Sequence, residues 1–175
     1  MKFCEMPYTR PDIDETKKSF DSLTERLASA KSYADAKEVF LEEQKLEKHI
    51  DTLVNLVSIR HSVNTRDKFY DEEKNFWNGA MPELQEYMQK WTGAMLATPF
   101  REDFSAEYGD LMFVNAEISL KAFSPEIIPE LQRENELVQE YEKLLASAQI
   151  PFEGGAYTLS QLSPFKTGAD DKRRL

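Results

Sequence analysis

Two apolar stripes on one predicted helix constrain the fold of this chain more than any other feature of its sequence. Within residues 46–71, the first stripe repeats at helical spacing and consists of Leu46, Ile50, Leu53 and Val57. The second stripe lies roughly a third of a turn around the same helix and consists of Leu56, Ile59 and Val63. A surface helix needs only one apolar face, so a helix with two must be covered on two sides. The sequence therefore predicts that this helix is central to the fold.

The amino-acid composition favours a helical globular chain. Its 175 residues are enough for one sizeable domain, and 41% of them are hydrophobic and 31% charged. Only six glycines and eight prolines are present, and runs of β-branched residues are few. The predicted fold class is therefore mainly α, with a long antiparallel helical hairpin, additional helices and a small β-hairpin near the C-terminus.

The net charge and the cysteine content exclude several classes of partner. A formal charge of −10 would repel nucleic-acid phosphates and anionic lipids, so neither nucleic acid nor a membrane surface is an expected partner. The single cysteine, Cys4, permits no internal disulfide, which fits a reducing compartment. The sequence has no apolar signal segment and no stretch long enough to span a membrane, and we expect a cytoplasmic protein.

Turn and capping residues divide the chain into four predicted segments. These are an extended N-terminal arm over residues 1–11, a helical domain over 12–149, a small β-hairpin and turn over 150–165, and the start of a truncated helix over 166–175. The last segment predicts that the chain is the N-terminal piece of a longer protein. A frayed charged tail is the alternative interpretation of the same residues.

Capping residues predict the long helical hairpin. Ser32 and Asp67 are the expected N-caps of two helices, over about residues 32–64 and 67–98. At about 30 residues, the first of these helices would be roughly 45 Å long. Such a length without internal caps indicates a long helical hairpin rather than a compact bundle helix.

Glycine and proline residues mark the remaining boundaries. Pro82, together with Gly79, is expected to kink or divide the second long helix. Gly109 is a good C-terminal glycine for the next helix, and Ser124 followed by proline predicts another helix start. The pair Gly154–Gly155 predicts the turn of the β-hairpin.

Catalytic and metal-binding motifs are missing from this sequence. His49 and His61 lie twelve residues apart, which on one helix is about 18 Å of rise, so they cannot share a metal ion. The sequence has no His-Glu-x-x-His helix, no phosphate-binding glycine loop and no Gly-x-Ser-x-Gly elbow, and Cys4 has no obvious base. We therefore predict no catalytic, cofactor-binding or metal-binding residue in this chain.

Three groups of side chains have a structural and a functional interpretation. Paired carboxylates could act as acid and base, but a solvated charged face is favoured for Glu42, Glu43 and Glu47 and for Asp71, Glu72 and Glu73. An aromatic series could line a groove for an extended peptide, but core packing is favoured for Phe69, Tyr70, Phe76, Trp77, Tyr87 and Trp91. Arg60 and His61 form either a buried polar pair or an interface contact, and a packing histidine with its hydrogen bonds satisfied is favoured.

Three stretches carry a resemblance to a known family. They are MKFCEMPYTRPD at the start, SIRHSVNTRDKFYDEE in the centre and LKAFSPEIIPELQRENELVQEYEKLLASAQIPFEGGAYTLSQLSPF toward the end. Over nearly the whole chain, and in order, the sequence resembles the N-terminal region of the oligoendopeptidase F family. That family consists of zinc metallopeptidases that cut short peptides inside cells. Its His-Glu-x-x-His helix lies far toward the C-terminus in relatives and has no counterpart here.

The resemblance implies a supporting role in a larger enzyme. The chain would be the N-terminal helical domain that forms one wall of a deep channel in an intracellular zinc metallo-oligopeptidase. Zinc would then belong to the full-length enzyme, and the expected partners are its catalytic domain and short peptide substrates. The isolated chain is expected to be inactive and to self-associate through surface that faces the missing remainder.

Two other functions remain open at this point. The first is a stand-alone helical binding or adaptor protein that holds a partner on an aromatic face. The second is a small helical enzyme that uses carboxylates alone, which is disfavoured because no base is positioned beside them.

Overall fold

The computed structural model describes residues 5–167, and these are mainly α-helical, as the composition predicts. The helices are α1 (Ile13–Ala28), α2 (Tyr33–Val63), α3 (Lys68–Leu96), α4 (Arg101–Tyr108), α5 (Leu111–Ala122), α6 (Ile128–Ser147) and α7 (Ser163–Thr167), with a 3₁₀ turn at Pro125–Ile127 before α6. Two short strands, β1 (Ile150–Phe152) and β2 (Gly155–Tyr157), form the predicted antiparallel hairpin. No helix in this part of the chain is both long and apolar enough to cross a bilayer.

The predicted N-caps fix the N-terminal ends of the two long helices. The Ser32 hydroxyl accepts a hydrogen bond from the Asp35 backbone N–H at 3.2 Å, and the Asp67 carboxylate accepts one from the Phe69 N–H at 3.0 Å. Each bond satisfies a donor that the first turn of a helix leaves without a partner. Ser124 differs from the prediction, because its side chain makes no capping hydrogen bond and a 3₁₀ turn comes first.

Helix α3 occupies the central position that the sequence predicts for α2, since α3 packs against α1, α2 and α5. Its buried residues contribute to two hydrophobic clusters. One cluster contains Leu23, Leu27, Ala36, Val39, Trp91, Met95, Phe104 and Phe113. The other contains Phe20, Ile50, Leu53, Val57, Trp77, Ala80 and Leu84. The first predicted stripe of α2 therefore lies in the core.

The prediction that the second apolar stripe of α2 is covered is wrong for two of its three residues. Leu56 is buried, but Ile59 is 46% exposed and Val63 is 82% exposed. The reason is length, because α1 has 16 residues while α2 has 31. A helix of half the length cannot cover its neighbour to the end, so the last turns of α2 keep an apolar face in solvent.

Helix α3 continues through Pro82 without a break. Of the two predicted outcomes at Gly79 and Pro82, the division is therefore wrong, and the kink stays a prediction. A proline inside a helix removes one backbone donor and disturbs the ladder around it. One turn before Pro82, the Gly79 carbonyl accepts a hydrogen bond of 2.9 Å from the Gln132 side-chain amide.

The described residues form two compact units that divide between Gln132 and Arg133. In the second unit, Ile150 lies opposite Tyr157 across the hairpin, and Gly154 has the positive φ of 82° that the turn requires. The ring of Phe165 on α7 lies 5.3 Å from that of Phe152 and 5.4 Å from that of Tyr157. The helix predicted to begin near the C-terminus falls on residues 168–175, outside the described residues.

The N-terminal arm is fastened to α3 through one buried carboxylate, Glu73. Its oxygens accept a hydrogen bond from the Tyr8 hydroxyl at 2.5 Å and from Arg10 Nη2 at 2.6 Å and Nε at 3.0 Å. The Trp77 indole N–H donates to the Tyr8 hydroxyl at 3.1 Å. Burial alone would raise the pKa of Glu73, but the hydrogen bonds from Arg10 and Tyr8 outweigh it and hold the pKa below its usual value.

We expect Glu73→Gln to destabilise the chain by about 1–3 kcal/mol, because hydrogen bonds to a charged acceptor contribute more than neutral ones. The matched control is Glu72→Gln, which removes the same charge from the exposed neighbouring position. Urea unfolding followed by circular dichroism at 222 nm measures both. Equal stability of the two variants would contradict the role given to Glu73.

Candidate binding pocket between helices α2, α3 and α5

The histidines do not form a metal site. Residues 5–167 contain no group of three or more histidine, cysteine, aspartate or glutamate side chains that could hold a metal ion. His49 is exposed, whereas His61 is fully buried with its Nε2 3.3 Å from an oxygen of Asp71. Within the described chain, His61 Nδ1 has no hydrogen-bond partner, so the predicted packing histidine is satisfied on one side only. Cys4 lies outside the described residues.

Arg60 ties α2 to its surroundings through polar contacts. Its Nη1 donates to the Tyr70 hydroxyl at 2.7 Å, and its Nη2 donates to the Met6 carbonyl at 2.7 Å. The guanidinium carbon also lies 5.5 Å from the centroid of the Tyr70 ring. These contacts are intramolecular, which agrees with a packing role for this position.

The aromatic series of α3 belongs to the core, as the favoured interpretation predicts. Trp77 and Trp91 are buried. Tyr70, Phe76 and Tyr87 are partly buried and pack against the cluster that contains Trp77. Phe69 is the exception in this series and is about half exposed. The side chains that could have formed an aromatic groove are therefore used in packing.

The prediction that both acidic clusters form solvated faces is wrong at one position in each cluster. Glu43 and Glu73 are buried, with 2% and 4% of their surface exposed. Glu42 does lie at the surface, where it accepts two hydrogen bonds from Arg26, and Glu72 is exposed. The reason is helical register, because each buried acid falls on the face of its helix that packs inward.

Glu43 lines a pocket of about 170 Å³ that three helices enclose. Helix α2 supplies Phe40, Glu43, Gln44 and Glu47. Helix α3 supplies Met88, Trp91, Thr92 and Met95, and α5 supplies Met112, Phe113 and Ala116. Every ionisable group in this lining thus comes from α2, and the facing helices supply aromatic rings, methionine thioethers, a methyl group and a hydroxyl.

The two carboxylates of the pocket share one hydrogen-bond donor. The Gln44 side-chain amide donates to Glu43 Oε2 at 3.1 Å and to Glu47 Oε2 at 3.2 Å. Burial, together with the negative charge of Glu47, raises the pKa of Glu43 to about 7. Burial and the neighbouring Asp51 also raise the pKa of Glu47. Glu43 can therefore exchange a proton near neutral pH or take a positive charge beside it.

The comparisons with known proteins point to one family. The sequence profile of the peptidase M3 N-terminal domain matches residues 3–123. The chain belongs to this family. None of the curated proteins compared with the chain matches it.

Solved structures agree with this family membership. A Bacillus anthracis str. Ames protein assigned as an oligoendopeptidase F is 41% identical, with a TM-score of 0.93 over 99% of this chain and 32% of its own. A second protein with that assignment is 37% identical, with a TM-score of 0.94 over 99% of this chain and 31% of its own. PZ peptidase A, solved with an inhibitor, is 36% identical, with a TM-score of 0.93 over 99% of this chain and 31% of its own. The 175-residue chain thus spans about a third of the length of these proteins.

The raised pKa of Glu43 predicts a specific pH dependence. The folded chain holds a proton on Glu43 up to about pH 7, whereas the unfolded chain releases it near 4.5. The contribution of Glu43 to stability is therefore full below pH 4.5, falls as the pH rises to 7, and is constant above that value. We expect Glu43→Gln to remove this loss, which amounts to about 3 kcal/mol.

Urea unfolding of the wild type and the variant between pH 4.5 and pH 8 measures the effect. The difference in unfolding free energy between the two proteins should grow across this range and then level off. The matched control is Glu38→Gln, an exposed position on the same helix. A constant difference between the wild type and Glu43→Gln at all pH values would contradict the assignment.

Proposed function

We propose that this chain is the substrate-enclosing helical domain of a zinc metallo-oligopeptidase that hydrolyses short peptides. The domain would form one wall of the channel that leads to a catalytic domain in the same polypeptide. Zinc would bind in that catalytic domain, because residues 5–167 offer no suitable set of ligands. A cytoplasmic location belongs to the same proposal.

The observation that carries this proposal is the alignment with peptidases. Three peptidase structures match 99% of this chain, and this match occupies only 31–32% of their own length. The relatives therefore contain about twice as much further polypeptide in which catalytic residues can lie. The four segments predicted from the sequence fit this arrangement, with residues 12–149 and 150–165 preceding the catalytic domain and residues 166–175 leading into it.

Helix α5 has the surface that an additional domain would cover. Its Phe113 packs into the core with α3, while Leu111, Val114 and Ile118 are exposed on the opposite side. A helix that is apolar on both sides is normally buried on both. The catalytic domain is the occupant we propose, and a second copy of the chain would take its place when the domain is isolated.

The adaptor function is less well supported. It requires an aromatic face that is free to hold a partner, and most of the α3 aromatic residues pack in the core. The carboxylate-only enzyme requires a base positioned beside a reacting group. In the first cluster, Glu43 and Glu47 accept hydrogen bonds from Gln44, and Glu42 accepts from Arg26. In the second cluster, Glu73 is engaged by Arg10 and Tyr8.

Peptidase assays on two proteins test the proposal. One is the 175-residue chain, and the other is the longest polypeptide that its reading frame encodes. We expect the longer protein to cleave a quenched fluorescent peptide of about eight residues and to lose this activity with a chelator. We expect no cleavage by the 175-residue chain. Chelator-sensitive cleavage by the short chain, or a longer protein without a His-Glu-x-x-His helix, would contradict the proposal.

The enclosing role needs a separate measurement on the same longer protein. The cleavable peptide sequence is inserted into a loop of a stable folded carrier protein and compared with the free peptide. A channel wall should reduce cleavage of the carrier by orders of magnitude, because a folded protein cannot enter. Similar rates for the carrier and the peptide would contradict the wall and leave the peptidase assignment intact.

A further inference from the structure

Glu43 is a buried carboxylate without a cationic partner. Its side chain is 2% exposed, and its hydrogen bond comes from the neutral amide of Gln44. Among the described residues, no lysine, arginine or histidine forms an ion pair with it. An ionised carboxylate that leaves water without a positive partner is costly, so proteins normally pair such groups.

A second buried acid in the same molecule shows the usual solution. Glu73 is buried to nearly the same extent, and it receives hydrogen bonds from the Arg10 guanidinium and the Tyr8 hydroxyl. At Glu43 the described part of the chain supplies no such side chain, and a pocket of about 170 Å³ adjoins this residue. Glu73 therefore has a guanidinium beside it, whereas Glu43 has a pocket beside it.

The pocket lining favours an organic cation over a metal ion. Phe40, Trp91 and Phe113 offer aromatic rings, whose faces attract cations. Met88 and Met95 offer flexible thioethers that pack well against an alkyl chain. A hard metal ion would need several more oxygen ligands than two carboxylates and one amide supply.

The size of the pocket also fits such a ligand. A water molecule occupies about 30 Å³ of liquid volume, so the pocket has room for several non-hydrogen atoms. A planar guanidinium donates two parallel hydrogen bonds to one carboxylate and has further N–H groups for a second acceptor. This suits a site in which Glu43 and Glu47 lie one helical turn apart. The methylene stem of the ligand can then lie against the methionines.

We propose that the pocket between α2, α3 and α5 binds a guanidinium group carried on an apolar stem, with Glu43 as its buried counter-ion and Glu47 as a second acceptor. The ligand is either a free alkylguanidine or the arginine side chain of a peptide. This proposal does not depend on the peptidase function, because it rests on residues of this chain alone.

Nuclear magnetic resonance on the 175-residue chain tests the site directly. The probes are n-butylguanidinium, its neutral analogue n-butylurea, and the capped peptide acetyl-Gly-Arg-Gly-amide. The two tryptophan indole N–H signals report the location, since Trp91 lines the pocket and Trp77 does not. We expect n-butylguanidinium to shift the Trp91 signal with saturation, to leave Trp77 unchanged, and to bind at least about tenfold more tightly than n-butylurea.

Variants separate the charge of Glu43 from general electrostatics. At pH 8, where Glu43 is ionised, Glu43→Gln should weaken n-butylguanidinium binding at least about tenfold while the protein stays folded, because the substitution removes the buried negative charge. Glu38→Gln removes the same charge from an exposed position of α2 and should leave binding unchanged. Circular dichroism confirms folding of both variants.

Each result either supports or overturns the proposal. Binding of the tripeptide with the same Trp91 shift identifies a peptide side chain as a ligand, and binding of n-butylguanidinium alone identifies a free small molecule. The proposal is overturned if no probe shifts Trp91, if n-butylurea binds as well as n-butylguanidinium, or if Glu43→Gln binds as tightly as the wild type. Loss of peptidase activity in a longer protein would bear on the proposed function and not on this site.

Discussion

The burial of α3 against α1, α2 and α5 is the constraint on which the rest of this structure depends. Trp77, Leu84 and Trp91 place large apolar side chains along this helix, and each lies in one of the two hydrophobic clusters. Burying such side chains stabilises the fold by about 1.5–3 kcal/mol each. Because residues of α3 belong to both clusters, the packing of this one helix links them. The long hairpin of α2 and α3 is therefore held together by burial along its length.

Two buried acids, Glu73 on α3 and Glu43 on α2, illustrate different uses of a carboxylate. Glu73 takes its positive partner from the N-terminal arm and thereby fastens that arm to the body of the domain. Glu43 accepts a hydrogen bond from the Gln44 amide and from no cation among the described residues, and it lines a pocket between α2, α3 and α5. The first arrangement stabilises the fold. In the second arrangement, the described residues supply no positive group to the carboxylate. This is the physical basis for assigning a cationic ligand to the pocket.

Much of the fold could be predicted from sequence because its signals are local. Ser32 and Asp67 cap the long helices as expected, and Gly154 makes the hairpin turn. The buried acids also had a signal, since Ala36, Val39, Glu43, Leu46 and Ile50 recur at intervals of three and four residues. The charged neighbours of Glu43 in sequence indicate a solvated face, whereas its position on the inward face of α2 decides its burial. The exposure of Val63 and the pocket could not be predicted, because both depend on where separate helices end and meet.

Hydrogen–deuterium exchange of the 175-residue chain, followed by mass spectrometry, tests the central position of α3 most directly. Amides of buried helices exchange through global unfolding, whereas those of smaller units open locally and exchange faster. We predict that peptides from α3 between Trp77 and Trp91 exchange most slowly, and that those from the hairpin at Ile150–Tyr157 exchange much faster. Exchange of α3 as fast as that of the hairpin would contradict the account.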